Sequence, residues 1–169
     1  EEKLNQALRA YLEKVKFQKA PYTIPKEMVD CLRQATPDSL KYLIHDLFET
    51  VTLYDNRLKD YDVSKLPNGK YQVTINFVIT KFLSKNGSRV FADTLGQALV
   101  YKDGQSVFHS LPLKDYVEIG IYSTKGEELH MQKYLVSKIS NTLTIEIDEI
   151  PGQVAVDPLV KLIDIHTDN

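Results

Sequence analysis

The feature that most constrains this chain is a change of period near residue 51. Before it, apolar residues recur at intervals of three and four. KLNQALRAYLEKVKF places Leu4, Ala7, Leu8, Tyr11, Leu12 and Val15 on one face, the spacing of an amphipathic helix. Pro21 breaks that pattern. Pro25 then fits the first turn of a second helix, with Met28, Val29, Leu32 and Ala35 marking its face. Thr36 and Pro37 read as the N-cap and first-turn proline of a third, which carries Leu40, Leu43, Ile44, Leu47 and Phe48. After residue 51 the period is two. VTLYD alternates, and YQVTINFVIT puts Tyr71, Val73, Ile75, Phe77 and Ile79 on one side. A segment patterned for one period does not bury its apolar face in the other. The chain is therefore expected to divide into a helical segment, 1–52, and a β segment, 53–169.

Further strands are predicted over residues 116–122, 129–136 and 143–147, and QVAV reads as an edge strand. Asn68-Gly69 between two alternating runs is a hairpin signal. Asn86-Gly87, Asp103-Gly104, Lys125-Gly126 and Pro151-Gly152 punctuate the rest. Residues 88–110 fit either a short hairpin or an irregular excursion. Strands in succession without intervening helices imply antiparallel pairing. Closing their edges predicts an α+β chain: three short helices, then an immunoglobulin-like β-sandwich of about seven strands.

Composition excludes several functions. With 21 basic and 23 acidic residues interspersed, the net charge is −2. No clustered basic stripe is available to neutralise phosphates, so nucleic acid is not an expected partner. No apolar run approaches the ~18 residues of a membrane span. Cys31 is the sole cysteine. It can form no internal disulfide, and in MVDCLRQA it reads as a small core residue rather than a reactive thiol.

The chemistry-bearing residues do not converge by spacing. His45, His109, His130 and His166 are far apart and fall on different elements. His45 and Glu49, four apart in HDLFE, could offer two ligands to a metal. They lack the second histidine of HExxH, and a surface pair is the ordinary reading. His130 is expected to face solvent. Asp55, Asp60, Asp62, Asp103, Asp148, Asp157 and Asp164 show no EF-hand spacing and read as turn and strand-end residues. There is no GxSxG elbow and no glycine-rich phosphate loop. No residue is expected to be catalytic, cofactor-binding or metal-ligating.

Four stretches carry a resemblance: ALRAYLEKVKFQKAPYTIP, ATPDSLKYLIHDLFETVTLYDNR, PLKDYVEIGIYS and VAVDPLVKLIDIHTDN. Together they resemble the carboxyl-terminal part of bacterial, Bacteroides-type proteins in which a zinc aminopeptidase-like domain of the aminopeptidase N family is joined to an ABC-type permease. The resemblance spans most of the chain and is weakest over residues 84–110. It implies that the zinc-binding HExxH lies upstream, so zinc belongs to the parent's catalytic domain and no cofactor to this chain. It also implies that residues 1–52 end the helical part of the parent. Such an origin would account for two oddities. The chain opens at Glu1 within a helical pattern, and it places Leu159, Val160, Leu162, Ile163 and Ile165 beside a terminus, where chains usually fray. That last cluster is expected to close the sandwich or brace it against the helices.

The expected function is a non-catalytic docking module that walls a substrate channel, itself soluble and held at the extracytoplasmic side of a membrane through its parent. Its expected partner is the missing catalytic domain, with self-association through the N-terminal helices as a substitute. An independent Ig-like module binding protein or peptide is the alternative, and a self-contained hydrolase is the third reading.

Overall fold

Helix α1 (Glu2–Val15) forms where the apolar positions repeat at helical spacing, with Glu2 at its positive end and Lys14 at its negative end. It stops before Pro21 is reached. Phe17 takes a left-handed conformation (φ 58°), an uncommon geometry for an aromatic residue. Helix α2 (Pro25–Ala35) has its proline in the first turn, and the Glu27 carboxylate accepts the Ile24 N–H at 3.2 Å. The computed structural model describes residues 2–84, 89–92, 98–102, 105–107 and 113–165. Its contacts divide the chain into two compact units, Glu1–Val51 and Thr52–Asn169.

The third helix departs from expectation. Thr36 does not cap it. The Thr36 hydroxyl instead donates to the Leu32 carbonyl at 2.7 Å, closing the end of α2. The chain then passes through a 3₁₀ turn (Asp38–Leu40), a single α turn, α3 (Lys41–Ile44), and a π turn (His45–Glu49). The Thr50 hydroxyl donates to the His45 carbonyl at 3.1 Å, taking a group the wide last turn would leave unmet. Ala7, Leu32 and Ile44 are the buried core of this unit, with Leu8, Met28 and Val29 half-buried around them.

The second unit is antiparallel. Strands β1 (Val51–Lys65), β2 (Tyr71–Ser84) and β8 (Ser140–Ile147) form one sheet in the order β1-β2-β8. Strands β6 (Asp115–Ser123), β7 (Glu128–Val136) and β9 (Pro151–Val156) form another in the order β7-β6-β9. Six strands, not seven, thus make the two sheets that carry the core. Three short strands, β3 (Arg89–Ala92), β4 (Ala98–Lys102) and β5 (Gln105–Val107), form a third sheet within the stretch left open by the sequence. The Asn68-Gly69 turn joins β1 to β2, with Gly69 at φ 85° and a Leu66 N–H to Lys70 carbonyl bond of 2.8 Å.

Register explains the core. β2 meets β8 with Val73 opposite Ile145 and Tyr71 opposite Ile147, and β6 meets β9 with Ile119 opposite Val156. Inward positions at period two from both sheets merge into one cluster. Val73, Ile75, Phe77 and Ile79 come from β2, and Val117, Ile119 and Ile121 from β6, all buried. Full burial of such side chains contributes roughly 1.5–3 kcal/mol each.

The segment after β9 is held by its polar groups. Asp157, at φ 49°, accepts the Lys161 N–H at 3.1 Å and the Leu162 N–H at 2.9 Å through its two carboxylate oxygens. The backbone then runs beside β1: the Tyr54 N–H donates to the Ile163 carbonyl at 2.9 Å and the Ile165 N–H to the Tyr54 carbonyl at 3.0 Å. Leu162 packs on the main core and Ile165 on Phe82, whereas Leu159, Val160 and Ile163 are exposed. The terminal cluster is therefore split between closing the β unit and facing solvent.

Candidate functional site

Within the helical unit, α1, α2 and the turns after it surround an apolar groove of about 470 Å³. Leu4 and Ala7 come from α1, Leu32 from α2, and Leu43, Leu47 and Phe48 from the third helical stretch. The shift from 3₁₀ through α to π geometry changes the turn angle along that stretch. Leu47 and Phe48 end there largely exposed, at 60% and 47%, rather than tucked into the core. Leu4, at 52%, is on the same groove.

Polar groups stand beside it. Glu49 is paired with Arg33, and its other carboxylate oxygen is hydrogen-bonded to His45 Nδ1 at 3.1 Å. The His45 hydrogen bond, and then the Arg33 charge, hold the Glu49 carboxyl below its ordinary range, against a desolvation cost. The two residues singled out as possible ligands are thus engaged with each other and with an arginine.

His130 is half-buried, not solvent-facing. It lies opposite Ile121 on the inward side of β7, its Nε2 is 2.9 Å from the Tyr134 hydroxyl, and the two rings stack at 6.1 Å. His109, His166 and Asp103 lie outside the described residues. Asp55 is buried and bidentate with Arg57, at 2.7 Å for each bond. Asp60 accepts from Asn76 at 2.6 Å, Asp148 pairs with Lys70 at 3.0 Å, and Asp164 accepts the Asn56 N–H at 3.2 Å. Cys31 is half-buried. Among the described residues, no group of three or more His, Cys, Asp or Glu side chains could hold a metal ion.

The β unit brings together polar residues that sequence reasoning had not singled out. Lys81 and Asp115 face each other with their side chains only 4% and 3% exposed. The Lys81 ammonium is 3.2 Å from both carboxylate oxygens, and the Tyr54 hydroxyl donates to Oδ1 at 3.1 Å. On β6, buried Glu118 is bonded by Lys161 at 2.5 Å. Strand parity was the available signal. Lys81 continues the inward series of residues 73, 75, 77 and 79, and Asp115 begins the series of 117, 119 and 121. A charge at an inward position is buried unless the strand ends first.

No protein-family model matches the chain, and no curated protein matches it.

Proposed function

We propose that this chain is a non-catalytic docking module whose helical unit is completed by another protein surface. The observation that carries this reading is the disproportion in that unit. Among the described residues, three side chains form its buried core, while Leu4, Leu12, Phe17, Tyr22, Ile24, Leu47, Phe48 and Val51 stand exposed. A helical segment of this size with so small a core is marginal alone. Exposed apolar side chains rimming a groove are the usual mark of an interaction site.

The resemblance supplies the partner: the catalytic part of a zinc aminopeptidase-like protein joined to an ABC-type permease, with this chain at its carboxyl end. In that setting the two β sheets are read as an immunoglobulin-like sandwich, zinc resides in the parent's catalytic domain, and the module stands at the extracytoplasmic side of the membrane. The competing reading, an independent peptide-binding module, rests on Tyr116 and Leu135, which are exposed and opposite each other across β6 and β7. What favours the helical surface is that Leu4, Leu47 and Phe48 line a groove there.

The test has two arms. Metal analysis and an aminoacyl-substrate assay on the purified chain should find neither stoichiometric zinc nor turnover; either one overturns the non-catalytic reading. Expressed as a separate polypeptide, the chain should also co-purify with the catalytic part of that parent. Leu47→Asp with Phe48→Asp should weaken that association at least ~10-fold, since two anchors of a groove are lost. Unchanged association sinks the docking reading.

A further inference from the structure

The Lys81–Asp115 pair is the one place in the described core where a nucleophile and an acyl group meet out of reach of water. The two side chains come from β2 and β6, so they join the two sheets. Lys81 Nζ is equidistant from the two Asp115 oxygens, at 3.2 Å. It therefore lies in the plane that bisects the carboxylate and contains its carbon. The Tyr54 hydroxyl donates to Oδ1 at 3.1 Å, and the Lys114 N–H to Oδ2 at 3.3 Å. The Tyr54 ring lies 5.7 Å from Nζ.

We propose that Lys81 and Asp115 form an intramolecular amide, a covalent staple between the two sheets. One ammonium proton first passes to Asp115 Oδ2, 3.2 Å away, and the neutral nitrogen then attacks the carboxyl carbon. A C–N bond forms and one C–O bond breaks. Of the three Nζ protons of the ammonium form, one remains on the amide and two leave with the departing oxygen as water. Nothing is oxidised or reduced, and no co-reactant is required. The hydroxyl of Tyr54 polarises the carboxyl group and stabilises charge gathering on Oδ1 during attack, as a fixed donor does in a dry site.

In bulk water this condensation is opposed by solvation of the two ions and by the excess of water. Burial weakens both oppositions. The ions have given up most of their hydration, and the product water leaves a site where buried Val136 stands opposite Asp115. Fixing the two groups in contact is equivalent to an effective concentration of up to about 10⁵–10⁸ M.

Intact mass under denaturing conditions reads the outcome directly. The folded chain, held at neutral pH for days, should be lighter than its sequence by one water. Proteolysis should release a branched peptide joining Lys81 to Asp115. Lys81→Arg should keep its full sequence mass. Asp115→Asn should lose ammonia instead, arriving at the same final mass as the linked wild type. Tyr54→Phe should link more slowly while reaching the same product. A folded wild-type chain that retains its full sequence mass overturns the proposal.

Discussion

Asn56 illustrates how a single residue can be at odds with its surroundings. It is fully buried, and neither its amide oxygen nor its amide nitrogen meets a partner among the described residues. An unmet buried amide costs about 1–3 kcal/mol. Asn56→Leu, close to isosteric, should therefore leave stability unchanged or raise it by up to about that amount, read as the urea midpoint. A clear loss would show that the amide is satisfied in solution. His130 makes an opposite kind of prediction. Burial pushes its imidazole below the ordinary value of 6.5, with Glu128 opposing only in part. As pH falls below 6.5 the unfolded chain takes up the proton first. The stability contributed by neutral His130 is thus complete above that value and declines as pH falls through the lower folded one. Urea midpoints between neutral pH and about pH 5 should show this decline, and His130→Phe should flatten it. An equal slope in the variant would assign the effect to other groups. Its inward placement is a matter of register: position 130 stands opposite Ile121, a pairing that alternation along β7 does not record.

At the scale of elements, the segment after β9 depends on one carboxylate. Asp157→Ala removes the acceptor for two backbone N–H groups and places alanine at a positive φ. The expected loss is about 1–3 kcal/mol in global or local stability. Hydrogen exchange localises it: the amides of Tyr54 and Ile165, bonded between this segment and β1, should exchange faster. Unchanged protection at both would mean that Leu162 and Ile165 hold the segment by packing alone. The other elements were legible to different degrees. The period-two strands and the Asn68-Gly69 turn arise from side-chain alternation and from the ease of positive φ at glycine, both local properties. The third helix was not legible in detail. Its apolar spacing persists while its backbone passes through three kinds of turn, because spacing records which side must be apolar and not how tightly the chain winds.

The molecule as a whole carries two units with unequal cores. Among the described residues, thirteen buried side chains form the main cluster of the β unit, against three in the helical unit. Buried apolar area sets most of the stability. Urea should consequently remove helical ellipticity, and protection of amides in α1 and α2, before it exposes the amides of β2 and β6. A single transition coincident by both probes would show that the helical unit borrows stability rather than standing alone.

By itself the sequence determined the division into helices followed by strands, most of the inward positions on β2, and the lack of a recognisable catalytic spacing. These depend on neighbours a few residues apart. Only the tertiary structure decided that Lys81, Asp115 and Tyr54 meet, that His130 turns inward, and that Leu47 and Phe48 rim a groove. Each depends on strands or turns distant in sequence being brought together, and periodicity along a chain carries no record of which distant face it will meet.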